Sequence, residues 1–173
     1  KTKTQEIVYA HYGKEFAYDE FAGESSVLFH EYVEKNGLPV KKGVRELLQY
    51  LSVLSVPVGV ASSTRLAVVE EELLQAGLYD YFQIVMGGDQ LKRSKPEPDI
   101  YLMTCEKMGV QPRNAYAVED SHNWNRSAYR AGMMPVMVPD LLPATEEMKE
   151  MSIAVFDDLL EVRDYFRHKK CFA

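Results

Sequence analysis

Ala115-Tyr116-Ala117-Val118-Glu119-Asp120-Ser121 is the stretch that decides how this chain is read. The apolar run from Ala115 to Val118 predicts a buried strand, an acidic pair closes it, and a helix should follow. An open α/β sheet binds its ligand outside the carboxyl ends of its strands. Two adjacent carboxylates there offer oxygen ligands to a hard cation. Glu119 and Asp120 therefore mark a candidate metal site. Two companion features stand upstream at matching positions: Ser62, after the apolar run Val56 to Ala61, and Lys95, within Ser94-Lys95-Pro96-Glu97-Pro98-Asp99. A hydroxyl, a lysine and a carboxylate pair together describe a phosphate-handling centre.

Outward from that strand, the same alternation recurs. Short apolar runs at Val58 to Ala61, Ile84 to Met86, Pro135 to Val138 and Ile153 to Phe156 predict further buried strands. Helices are expected around Val44 to Leu54, Leu66 to Ala76, Pro98 to Met108, Asn123 to Ala131, Ala144 to Met151 and Asp158 to Phe166. Gly77, Gly109 and Gly132 each follow a predicted helix, as helix-ending glycines do. Strands of this kind, interleaved with helices, predict a mainly parallel sheet covered on both faces. Residues before Pro39 differ. Phe21, Leu28 and Tyr32 recur at helix spacing, Gly37 is a natural stop, and no strand pattern occurs there.

With 173 residues, 46% of them hydrophobic and 27% charged, the chain can build one core and a small appendage. A net charge of -6 without a basic cluster argues against nucleic acid or an anionic membrane as partner, since both reward concentrated positive charge. A small anionic substrate remains compatible, because a local pocket can be positive on an acidic protein. Two cysteines, Cys105 and Cys171, make neither a disulfide framework nor a zinc site, which fits a reducing cytoplasm. No apolar run approaches the roughly 20 residues that cross a bilayer.

Each candidate residue has a plainer reading beside the functional one. Ser62, Ser63 and Thr64 follow a strand and precede a helix, so they could face an anion or serve as an ordinary N-cap. Arg65 adds a positive charge within reach of a phosphate, or is simply solvated. Lys95 is a surface lysine or, held between Ser94 and Pro96 on a segment stiffened by Pro98, a lysine aimed in a fixed direction. Glu119 and Asp120 repel each other when desolvated unless a cation or lysine lies between them. His122 and Trp124 read as structural.

These residues resemble the haloacid dehalogenase superfamily, and within it the β-phosphoglucomutase-like branch of phosphatases and phosphomutases. The resemblance spans Leu38 to Val162. It rests on Leu38-Pro39-Val40-x-x-Gly43-Val44, Ala61-Ser62-Ser63-Thr64, Ser94-Lys95-Pro96-Glu97-Pro98-Asp99 and Val118-Glu119-Asp120-Ser121, in the family's order and spacing. It implies a Rossmann-like parallel sheet flanked by helices, with a partial helical cap over residues 1–38 and an α/β core over 39–173. It further implies catalytic roles for Ser62 and Lys95, with Ser62, Ser63, Thr64, Arg65 and Lys95 around the transferring phosphoryl group. Asp120, with Glu119, would hold Mg2+.

One departure outweighs these agreements. The family's first motif, Asp-x-Asp-x-Thr at the end of the first strand, supplies the nucleophile and the acid/base, and no Asp-x-Asp occurs in this sequence. That strand would lie between those ending at Ala61 and Glu119. Five or six buried residues, at about 1.5–3 kcal/mol per apolar side chain, represent on the order of 10 kcal/mol, which rivals the stability of a whole domain. The expectation is therefore a fragment of a longer protein, with a second segment or chain filling the gap as the lesser alternative. A smaller departure follows Ser121, where His122-Asn123-Trp124-Asn125 replaces the family's usual glycine. The function expected of the full-length protein is Mg2+-dependent phosphoryl transfer on a small phosphorylated metabolite, a sugar phosphate above all. This chain alone should be inactive. The alternative is a catalytically inactive member that binds phosphate or a partner protein. An unrelated nucleotide-binding domain is disfavoured by the lack of a G-x-G-x-x-G turn or P-loop.

Overall fold

From Gly43 onward the strands and helices alternate in the predicted order, and the strand pairings are parallel throughout. The computed structural model describes residues 3–91 and 96–172. It divides into two compact units, Lys1–Pro39 and Val40–Ala173. No helix among the described residues is long and apolar enough to cross a membrane.

The first unit holds α1 (Lys3–Tyr12) and α2 (Tyr18–Asn36), joined by a turn at Gly13. An aromatic string binds the turn to the helices: Tyr9 meets Tyr18 edge-on at 6.2 Å, Tyr12 stacks on Phe16 at 5.3 Å, and Phe16 meets Phe21 at 5.5 Å. The apolar spacing in α2 correctly signalled a helix but not a buried one, since none of its residues is buried and Leu28 is 65% exposed.

The second unit runs α3 (Val44–Val53), β1 (Gly59–Ala61), α4 (Leu66–Gln75), β2 (Ile84–Met86), α5 (Asp99–Met108), β3 (Tyr116–Glu119), α6 (His122–Arg130), β4 (Met134–Met137), α7 (Glu146–Met151), β5 (Ala154–Val155) and α8 (Leu159–Lys169). The strands alternate their side chains between two layers. Ala117 of β3 joins a core with Met86, Ile100, Tyr101 and Ala128, under α5 and α6. Its neighbours Tyr116 and Val118 instead pack with Leu47, Leu51, Val162 and Phe166, under α3 and α8. Both faces of the sheet are covered, as buried parallel strands require.

The sheet comes in two pieces. β1 pairs with β2, from Gly59 opposite Ile84 to Ala61 opposite Met86, and β4 lies between β3 and β5. No ladder joins β1 to β3 among the described residues. Between them lies a cleft of about 760 Å³, lined by residues 58–61 on one side and by Tyr116, Val118 and Glu119 on the other. Leu51, Met108 and Phe166 contribute to its apolar floor and walls.

Helix ends account for small shifts from the expected boundaries. α7 begins at Glu146 rather than Ala144 because the Thr145 hydroxyl accepts a hydrogen bond from the Met148 N–H at 3.3 Å. α8 begins at Leu159 because Asp158 Oδ1 accepts from the Leu160 and Glu161 N–H groups at 2.9 and 3.1 Å. α6 begins at His122, so the segment that departs from the family's glycine is helical.

Candidate functional site

β1 ends at Ala61, and the Ser62 N–H continues its ladder by donating to the Met86 carbonyl at 2.9 Å. That bond holds Ser62 half-buried at the strand's carboxyl end, while Ser63, Thr64 and Arg65 are exposed. The Ser62 Oγ accepts from the Thr64 N–H at 3.2 Å, which turns the chain back on itself. None of the three hydroxyls caps α4. Asp89, from the turn after β2, does so instead, its Oδ1 accepting from the Leu66 N–H at 2.8 Å. The N-cap reading of Ser62 to Thr64 is thereby removed.

Gly87 and Gly88 make this arrangement possible. The Gly88 N–H donates to the Thr64 carbonyl at 2.8 Å. A Cβ at Gly88 would run into the Ser63 backbone, and one at Gly87 into the Leu66 backbone. Sequence reading passed over this glycine pair, although Gly-Gly after a strand signals a close backbone approach.

The strand β3 delivers the carboxylates. Glu119 is half-buried and Asp120 exposed, so one acid is anchored in the protein and the next faces water. The buried Tyr101 hydroxyl on α5 donates to Glu119 Oε1. Burial, reinforced by the charges of Glu119 and Asp120, pushes the Tyr101 phenol far above its ordinary value, so it stays a proton donor. Trp124 sets its ring edge-on to Tyr101 at 5.7 Å. The structural reading of Trp124 is consistent with this, and the His122 Nε2 likewise pairs with the Pro143 carbonyl, at 2.9 Å.

Lys95 lies outside the described residues, as does Ser94. The rest of the motif is tied to α6, the helix that follows the carboxylates. Ser127 Oγ donates to the Glu97 carbonyl at 2.6 Å, and Arg130 Nη1 donates to the Pro96 carbonyl at 3.2 Å and meets Glu97 Oε1 at 3.6 Å. The segment leaving Lys95 and the helix leaving Asp120 are thus bound together. On its other side α6 is locked by the fully buried Asn125, whose Nδ2 donates to Ser152 Oγ at 3.0 Å.

No cluster of three or more metal-ligating side chains exists among the described residues. Glu119 and Asp120 nevertheless suit Mg2+. That ion keeps several waters and takes one or two carboxylates together with substrate phosphate oxygens. The two acids supply the hard oxygen donors that such an ion prefers.

A helix-covered parallel sheet, with a hydroxyl cluster at the end of one strand and paired carboxylates at the end of another, defines a Rossmann-like α/β domain whose candidate site residues gather at the strands' carboxyl ends. The model of the haloacid dehalogenase-like hydrolases matches residues 4–138, and the chain belongs to that family, in its β-phosphoglucomutase-like branch. It is 33% identical over 110 residues to the phosphorylated carbohydrates phosphatase of Thermotoga maritima, a match covering 64% of this chain and 49% of that protein. CbbY from Rhodobacter sphaeroides, solved with xylulose-(1,5)bisphosphate, superimposes with a TM-score of 0.64 at 28% identity, covering 70% of this chain and 55% of that one. β-Phosphoglucomutase from Clostridium difficile gives a TM-score of 0.69 at 20% identity, covering 95% and 73%, a likeness of fold. The chain spans about half the length of the curated relatives it matches.

Proposed function

We propose that the full-length protein to which this chain belongs is a Mg2+-dependent phosphatase or phosphomutase acting on a small phosphorylated metabolite, a sugar phosphate above all. The observation that carries this reading is the pairing of Ser62, at the carboxyl end of β1, with Glu119 and Asp120, at the carboxyl end of β3, on either side of the cleft between those strands. A group emerging from that cleft at its carboxyl end would stand between a phosphate-binding hydroxyl and a cation-binding pair. The substrate class draws on the names of relatives, one a phosphatase of phosphorylated carbohydrates and another solved with a sugar bisphosphate.

In this reading Ser62, with Ser63, Thr64 and Arg65 beside it, binds the non-bridging oxygens of the transferring phosphoryl group, and Lys95 balances their charge. Glu119 and Asp120 would hold Mg2+, which when bound supplies positive charge against the oxygens of the transferring group. Phosphoryl transfer needs little beyond such positioning and charge stabilisation. The nucleophile is an aspartate that this sequence does not contain, carried on a strand that fills the cleft between β1 and β3. Its carboxylate attacks phosphorus in line, the ester P–O bond breaks, and the departing oxygen takes a proton from a second aspartate on the same strand. Water or a second substrate hydroxyl then resolves the aspartyl phosphate. The unit before Pro39 serves as part of a cap that shapes substrate choice. Free Cys105 and Cys171 fit a cytoplasmic setting.

Lys95→Ala and Asp120→Ala, each made in the full-length protein, test the reading. Both should reduce hydrolysis of a sugar phosphate below detection while the far-UV spectrum stays unchanged. Retained turnover in either variant would refute the assignment.

A further inference from the structure

The strongest unexplained side chain near the cleft is Tyr101. It occupies the first turn of α5, three residues beyond Pro98, and is 4% exposed. A phenylalanine would fill the same space. A phenol there must find a partner for its hydroxyl, because an unpaired buried polar group is costly. The partner it finds is Glu119 Oε1, on a different element and at the carboxyl end of a different strand. The ring cannot swing freely, since Trp124 meets it edge-on from α6 and Ile100, Ala117 and Ala128 pack in the same cluster. The hydroxyl is therefore held in one place and fixes the rotation of one carboxylate oxygen.

We propose that Tyr101 is a positioning residue for the cation site, acting through Glu119 by holding its carboxylate in the orientation that ligation requires. The proposal rests on the reading of Glu119 and Asp120 as the Mg2+ pair. Hydrogen-bond partners of metal-ligating carboxylates orient the ligand, and their loss commonly weakens metal affinity 10- to 100-fold. Tyr101 also ties the first turn of α5, directly after Pro98, to the acid pair at the end of β3.

The test is a titration of the full-length protein with Mn2+, followed by the electron paramagnetic resonance signal of the free ion. Five proteins are compared: the wild type, Tyr101→Phe, Glu119→Gln, the double variant of these two, and Asp120→Asn. Tyr101→Phe keeps the ring and its contacts, so its thermal midpoint should remain close to that of the wild type. Its Kd for Mn2+ should rise about tenfold, and turnover should recover as the metal is raised to saturation. In the Glu119→Gln background the same substitution should change the Kd little, because the carboxylate through which it acts is gone. An unchanged Kd in Tyr101→Phe, or a full tenfold effect in both backgrounds, overturns the proposal. Asp120→Asn separates the two readings. If it abolishes Mn2+ binding while Tyr101→Phe does nothing, only the role of Tyr101 falls. If it leaves Mn2+ binding intact, the cation site itself is wrong, and the proposal falls with it.

Discussion

At the scale of single residues, the candidate site depends on residues that do no chemistry. Gly88 is a case. Its backbone lies so close to Ser63 that a methyl group must displace the loop carrying Ser62. Gly88→Ala should cost about 1–3 kcal/mol of stability, the usual range for overpacking, and should weaken phosphate binding because the same loop moves. Denaturant unfolding and isothermal titration with inorganic phosphate would measure both. An unaltered phosphate affinity would mean that the 62–66 loop does not bind the anion. The sequence made Ser62 and Glu119 legible as candidates because each follows a strand-like apolar run directly, and Asp120 because it stands beside Glu119. It did not make Tyr101 or Asp89 legible. Both act on residues 18 and 23 positions away, and local pattern carries no signal for such pairs. Taken alone, Ser62 to Thr64 read more readily as a helix cap, a role that Asp89 fills instead.

At the scale of elements, most boundaries followed from periodicity and glycine, and the shifts trace to capping side chains. Asp158 both caps α8 and meets Lys42 Nζ at 2.5 Å. The hydrogen bond from Lys42, then that from the Glu161 N–H, holds the Asp158 carboxyl below its ordinary value of 3.8. A carboxyl depressed in the folded state stabilises the protein above its unfolded pKa and loses that contribution as pH falls through the folded one. Asp158→Ala should therefore lower the thermal midpoint at neutral pH, and the gap to the wild type should close on acidification below the ordinary value. A gap independent of pH would mean that the cap acts without its charge. Inside the core, Phe166 of α8 is 2% exposed and packs at 4.8 Å on Tyr116 and 5.1 Å on Phe172. Phe166→Ala should cost about 3–5 kcal/mol in denaturant unfolding. α2 marks the limit of pattern reading. Spacing identified it as a helix, but what covers an apolar stripe is a property of packing, not of sequence spacing.

At the scale of the whole molecule, the governing feature is a parallel sheet in two pieces with a cleft of about 760 Å³ between them. β1 and β3 each pair on one edge only among the described strands. Unpaired strand edges are templates for another strand, and the apolar lining suits side chains buried on both faces. A parallel strand seated there would end between Ser62 and Glu119, where the proposed chemistry needs its nucleophile. The α/β class and the succession of strands along the chain were readable from alternating apolar runs, and the place of the gap, between the strands ending at Ala61 and at Glu119, was expected from the absent Asp-x-Asp motif through family resemblance. Periodicity alone could not have revealed it, because which strand edges stay unpaired is a property of packing and not of local sequence pattern. The most direct measurement is Mg2+-dependent phosphate release from a panel of sugar phosphates, by this chain alone and by the same chain extended by a native strand bearing Asp-x-Asp. The account predicts no release from the chain alone, and release from the extended protein that Asp120→Asn abolishes. Equal release from both proteins, or release indifferent to Asp120, would contradict it.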